Sequence, residues 1–264
     1  MKVAIIGGGV MGEAILGAAL DRHIFEPGIV TVCEVIEHRR LAIQAEYGVM
    51  TTSVAAEAMD GADLVVLSVK PQEVHSIHGA LRPDAVLLSI MAGVRIASLA
   101  EEFHHDRVIR VMPNTPVAAK AGMSVWTATP TVTEEQREVA RGLLSAIGRE
   151  LYVDDEKKLD MATAVNGSGP AYVFMFMEAF VEGAVYIGLT RAQAEEMVLQ
   201  TVFGAAVYAR ESGQSPAELR AMVTSPAGTT AAGLLELEKA GFRAGLIECV
   251  RAAHQRAKEL GGPA

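Results

Sequence analysis

Val3-Ala4-Ile5-Ile6-Gly7-Gly8-Gly9-Val10-Met11-Gly12 decides the reading of this chain. Its first four residues are apolar and mostly β-branched, which fits a short buried strand. Met11–Leu20 carries helical spacing. Gly7, Gly9 and Gly12 stand between the two at G-x-G-x-x-G positions. In that setting the first glycine permits a tight turn, and the second lets a pyrophosphate approach the backbone. The third lets the helix pack on the strand. The pattern alone is weak, but a preceding strand and a following helix are the context it requires. Gly7, Gly9, Val10, Met11 and Gly12 are therefore candidate dinucleotide contacts, with a purely structural glycine turn as the alternative.

The same alternation continues outward. Ile29–Glu34, Ala62–Val69, Ala85–Ile90 and Arg107–Met112 read as strands. Glu37–Tyr47, a segment opened by Pro71, and Ile96–Phe103 read as the helices between them. Gly122–Thr127 and Glu150–Val153 read as late strands flanking the helix Thr133–Ile147. Short apolar runs alternating with helices predict an α/β fold with a doubly wound, mostly parallel sheet. After Asp154-Asp155-Glu156-Lys157-Lys158 the pattern changes. Leu159–Ile187, Arg191–Glu211, Ser215–Val223, Thr230–Ala240 and Phe242–Leu260 all carry helical spacing. The expected division is thus 1–154, a dinucleotide-binding α/β domain, and 155–264, an all-helical domain. Few aromatics and many Ala and Gly in the helical part predict close packing against a second copy. Gly167-Ser168-Gly169 ahead of Pro170 predicts a break in the first long helix.

Further cofactor candidates fall at strand ends. Glu34 closes the second strand, where an acidic residue would bond an adenosine ribose hydroxyl and favour NAD. Arg39 and Arg40 follow closely and could instead meet a 2′-phosphate or remain solvated. Val69, Lys70 and Pro71 close the third long strand, Ala92 follows the fourth, and Asn114 lies in Met112-Pro113-Asn114-Thr115-Pro116 after the fifth. All would lie at the C-terminal sheet edge, where such folds bind ligands.

A second site is suggested by Thr224-Ser225-Pro226-Ala227-Gly228-Thr229-Thr230, which runs into a helix. A hydroxyl-rich turn at a helix N-terminus can cap the helix or hold a carboxylate or phosphate.

Composition narrows the partners. The 264 residues are 50% hydrophobic, with 23 Lys and Arg against 32 Asp and Glu, a formal charge of −9. Such acidity argues against nucleic acid and anionic membranes. Two distant cysteines, Cys33 and Cys249, suggest neither a zinc site nor a disulfide framework and fit a reducing cytoplasm. The N-terminus enters a strand at once, so no leader peptide is expected. Ala171–Ile187 contains Glu178 and Glu182 and falls short of the ~20 apolar residues of a membrane span. His75 with His78, and His104 with His105, lack a third ligand nearby and read as surface residues, so no metal is expected.

Together these motifs resemble the pyrroline-5-carboxylate reductase family. The likeness covers essentially the whole chain: the glycine-rich start, Val69-Lys70-Pro71, Met112–Pro116, Gly167-Ser168-Gly169-Pro170-Ala171-Tyr172, Thr224–Thr230 and Leu237–Arg243. Ser225–Thr230 is the most specific part. The resemblance implies a Rossmann-type domain and a helical dimerisation domain, with homodimers that often assemble into a ring of five. It implies hydride transfer from NADPH or NADH to the C=N bond of 1-pyrroline-5-carboxylate, giving L-proline in the last step of proline biosynthesis. The loop of one subunit would face the cofactor of its partner. On this reading Ser225, Gly228 and Thr229 hold the substrate carboxylate, and Thr230 also binds substrate and is the catalytic side chain. Ala227 and Asn166 depart from the family, which usually has Gly and Ser there. A related NAD(P)-dependent reductase acting on another cyclic imine or on a hydroxy acid is the nearest rival, and against the hydroxy-acid form no lysine lies between Lys158 and Lys239 to serve it. A non-catalytic dinucleotide sensor would need no Ser225–Thr230 loop.

Overall fold

A computed structural model describes residues 1–261 of the chain. The chain divides into two compact units. One comprises Met1–Pro170 with the C-terminal segment from Ala253, and the other Ala171–Ala252.

The first unit is built on eight strands: β1 (Val3–Ile6), β2 (Val30–Cys33), β3 (Met50–Thr52), β4 (Leu64–Leu67), β5 (Val86–Ser89), β6 (Val108–Met112), β7 (Gly122–Ala128) and β8 (Gly148–Tyr152). They lie in the order β3-β2-β1-β4-β5-β6-β7-β8. All neighbours are parallel except β6 and β7, which pair antiparallel with Ile109 opposite Ala128. The expected mostly parallel α/β fold is therefore present. β1 is central, with Val3 level with Val30 on one side and Leu64 on the other. The residues of β1, β4 and β5 are all buried, because both sheet faces are covered.

Alternation divides the core. Val3, Ile5, Leu64 and Val66 face a cluster with Ile15, Leu16 and Leu143, from helices α1 (Val10–Asp21) and α5 (Glu134–Ala146). Ala4, Ile6, Val65 and Leu67 face the opposite cluster with Met59 and Leu99. Those two belong to α3 (Ala55–Met59) and α4 (Ile96–Glu102), while α2 (Glu37–Tyr47) follows β2. β3 and α3 escaped the sequence reading, being only three and five residues long. The segment opened by Pro71 is a 3₁₀ turn over Pro71–Ser76.

Arg110 on β6 is 3% exposed and serves as a buried clamp. It donates to Glu156 at 2.8 Å and to Asp160 at 3.3 Å, the latter on α6 (Lys157–Ala162). Glu156 also accepts the Ile96 amide that opens α4, at 2.8 Å. The break expected before Pro170 is a π turn over Thr163–Gly167, after which α7 (Gly169–Tyr186) begins. Asn166 in that turn donates to the carbonyls of Met112 and Met123, at 2.9 and 3.0 Å.

The second unit contains most of α7, then α8 (Arg191–Glu211), α9 (Pro216–Met222), α10 (Thr229–Lys239) and the start of α11 (Phe242–Leu260). Its own buried cluster is only Val181, Ala184, Ala194 and Val198. Phe174, Met175, Ile187 and Phe203 stay exposed. Among the described residues no helix is long and apolar enough to cross a membrane.

Candidate active site

The cofactor candidates of the first unit converge on the C-terminal ends of the strands. Gly7 leaves β1 with φ of 103°, and its amide donates to Cys33 at the end of β2. A Cβ at Gly7 would stand 2.5 Å from the Ser68 carbonyl, and one at Gly12 would stand 2.1 Å from the Gly7 carbonyl. These two glycines let β1, α1 and the end of β4 close together. Gly9 differs, since a Cβ there would meet nothing within 4 Å. It is the N-cap residue of α1, with no side-chain cap. The first-turn amides at Val10, Met11 and Gly12 thus lie without a side-chain cap at the positive end of a 12-residue helix. β1 and β4 are neighbours at the point where strand order reverses, the usual crevice for a dinucleotide. The loop therefore fits a pyrophosphate.

Glu34 is buried, and both its carboxylate oxygens accept backbone amides. Oε2 accepts from Gly8 at 3.0 Å, and Oε1 from Ile36 at 2.8 Å. Arg39 donates to the Gly8 carbonyl through Nε and Nη2, at 3.2 and 2.6 Å, and pairs with Glu13 at 3.1 Å. Arg40 donates to the Glu34 carbonyl at 2.9 Å. Glu34 and Arg39 brace the glycine loop through Gly8, and Arg40 braces the segment after β2, roles the sequence reading missed. Burial, and then the charge of Glu34, push the neighbouring Cys33 thiol up from its ordinary range.

Val69 packs against the second core cluster, Lys70 is exposed, and the Lys70 amide donates to Glu73 at 3.0 Å ahead of Pro71. Ala92 is exposed in the turn after β5. Asn114 follows β6, and its side-chain oxygen accepts the Met123 amide at 2.8 Å. Asn114 and Asn166 thus take the amide and the carbonyl of Met123, which fixes the loop that carries Asn114. Ser68 Oγ, also missed from sequence, is buried without a protein partner, 3.0 Å from where a Gly12 Cβ would be.

In the second unit, the turn before α10 is drawn together by the Gly228 amide, which donates to the Ser225 carbonyl at 3.1 Å. A Cβ at Gly228 would stand 2.3 Å from Ser225 Oγ, so the glycine makes room for that hydroxyl. Gly228 is the N-cap residue of α10 and provides no side-chain cap. Thr229 and Thr230 occupy the first turn, so their amides lie at the positive helix end. None of the four hydroxyls serves as the N-cap of α10. Thr224 instead donates to the Arg220 carbonyl at 2.6 Å. Ala227 adopts φ of 58°, a left-handed conformation that strains an alanine.

The histidines act elsewhere. His75 pairs with Glu102 at 2.6 Å. His105 is not a surface residue as expected: it is buried, with Nε2 on the Ala85 carbonyl at 2.8 Å. Among the described residues no group of three or more His, Cys, Asp or Glu could hold a metal ion.

Residues 156–260 match the family model for pyrroline-5-carboxylate reductase dimerisation. Residues 2–93 match the model described as NADP oxidoreductase, coenzyme F420-dependent. A pyrroline-5-carboxylate reductase of Synechocystis sp. is 41% identical, with 99% of this chain and 98% of that protein covered. The chain belongs to the pyrroline-5-carboxylate reductase family. Among solved structures, the family member from Coxiella burnetii superposes with a TM-score of 0.92 at 33% identity, covering 99% of both chains. The Plasmodium falciparum enzyme, solved with NADP bound, gives 0.87 at 27% identity, covering 99% of this chain and 98% of that one. Membership accounts for both units: the dimerisation model spans α6 to α11, the helices that leave apolar side chains exposed.

Proposed function

We propose that this protein reduces the ring C=N bond of 1-pyrroline-5-carboxylate to give L-proline, the last step of proline biosynthesis, with NAD(P)H as reductant. The observation that carries the reading is the uncapped α10 N-terminus behind Ser225–Thr230, in a chain of this family. Bound along the Gly7–Gly12 loop and the ends of β4, β5 and β6, NAD(P)H supplies the hydride. The chain's own residues then have two tasks. The Ser225 hydroxyl and the Thr229 amide hold the substrate carboxylate. The Gly228 amide, taken by the Ser225 carbonyl, shapes the turn. The Thr230 hydroxyl holds the ring nitrogen and places its proton. A protonated imine accepts hydride readily, so most of the catalysis is positioning.

We place the functional division at 154/155, which is supported by the dimerisation match beginning at residue 156. The Ser225–Thr230 loop of one subunit serves the cofactor of its partner, and dimers assemble further, into a ring of five by resemblance. The two free thiols suit a cytoplasmic enzyme.

Nicotinamide oxidation that depends on 1-pyrroline-5-carboxylate tests the reaction. Thr230→Ala is expected to lower turnover by about ten- to a hundredfold, the worth of one well-aimed hydrogen bond, with cofactor affinity kept. Unchanged turnover removes Thr230 from its role. No imine-dependent oxidation by folded, cofactor-bound protein defeats the reaction.

A further inference from the structure

NADH and NADPH differ by one phosphate, on the adenosine 2′ oxygen, and the end of β2 chooses between them. This rests on the reading of residues 1–154 as the dinucleotide site. With the pyrophosphate at the N-terminus of α1, the adenosine ribose reaches the C-terminal end of the adjacent strand. Glu34 stands there, 7% exposed and bonded to the Gly8 and Ile36 amides. A carboxylate has about four lone-pair positions, so two remain for ribose hydroxyls. A 2′-phosphate brings only acceptors and negative charge to that place. Glu34 cannot swing aside without leaving the buried Gly8 amide unpaired and releasing the Ile36 amide as well.

The chain has two arginines that a phosphate might recruit, and both are committed. Arg39 lies on the Gly8 carbonyl and on Glu13. Arg40 lies on the Glu34 carbonyl. Turning Arg39 toward a phosphate would strip the Gly8 carbonyl of the loop that holds the pyrophosphate, and turning Arg40 would strip the Glu34 carbonyl after β2.

We infer that this site selects NADH over NADPH, with Glu34 as the specificity-determining residue, Arg39 as a support of the glycine loop and Arg40 as a support of the segment after β2. The P. falciparum relative, solved with NADP, is thereby expected to differ from this chain.

The test is binding of NADH and of NADPH to the intact protein, read by calorimetry without substrate. NADH is expected to bind about tenfold more tightly or better. Glu34→Ser is expected to erase most of that ratio, weakening NADH and strengthening NADPH. Arg39→Gln is expected to weaken both by a similar factor. Equal or tighter NADPH binding by the wild-type protein overturns the inference, as does loss of NADPH affinity alone in Arg39→Gln. The wild-type ratio stands as a test even where Glu34→Ser fails to fold. Binding of neither nucleotide by folded protein overturns the dinucleotide reading and this inference with it, whereas equal binding of both overturns the inference alone.

Discussion

The sheet of the first unit and the helices of the second are both rich in apolar residues, yet they bury them in different ways. β1, β4 and β5 are enclosed on both faces by helices of their own chain. α7 and α8 bury Val181, Ala184, Ala194 and Val198 against each other and leave Met175 73% and Phe203 64% exposed. Each such side chain forgoes about 1.5–3 kcal/mol until something covers it. The first unit is therefore specified within one chain, whereas the second leaves apolar faces uncovered within the chain, and it is the part that matches a dimerisation model.

The comparison breaks most visibly if the helical surface is spoiled. Phe203→Asp should weaken dimerisation by about a hundredfold or more, since it places a charge where an apolar anchor is needed. Sedimentation velocity should find monomers, with imine reduction lost and nicotinamide nucleotide binding kept. A stable dimer with full activity would show that this face is not the interface.

Arg110→Ala attacks the other side of the comparison. It leaves Glu156 and Asp160 without their cation and should cost about 3–5 kcal/mol in urea unfolding, with dimerisation unaffected until the protein unfolds. A loss below about 1 kcal/mol would mean that solvent reaches the pair.

The smallest effect is expected at Ala227. Its left-handed backbone suits glycine, so Ala227→Gly should stabilise the helical unit by about 1 kcal/mol, read as a higher urea midpoint. A lower midpoint would show that chain entropy outweighs the strain.

The same contrast explains what was legible in the sequence. Val3–Gly12 announced its strand, turn and helix, because a buried parallel strand is an apolar run and a tight turn needs glycine. Arg191–Glu211 and Phe242–Leu260 were readable residue by residue from helical spacing. Met50–Thr52 and Ala55–Met59 are too short for any period to show. Side chains that act on a distant backbone were hidden for another reason. Nothing local in Glu34 points to the Gly8 amide, and nothing in Asn166 points to Met112 and Met123. Those bonds exist only once the strands are in register. The Ser225–Thr230 turn was recognisable by its residues, but the commitment of the Gly228 amide to Ser225 and the left-handed Ala227 were not.

Subunit mixing tests most directly the claim that the helical unit works only as a pair. Thr230→Ala disables the substrate loop. Gly9→Asp leaves the fold intact, since the new side chain enters open space and caps α1, but it sets a carboxylate where the pyrophosphate must lie. Alone, Thr230→Ala should keep about a tenth of wild-type activity at most and Gly9→Asp almost none. Co-expressed at equal levels, they should recover about a quarter of wild-type activity, because half the dimers are mixed and each mixed dimer keeps one intact site. Activity no greater than that of the two variants measured separately would contradict the account and place cofactor and substrate loop in the same subunit.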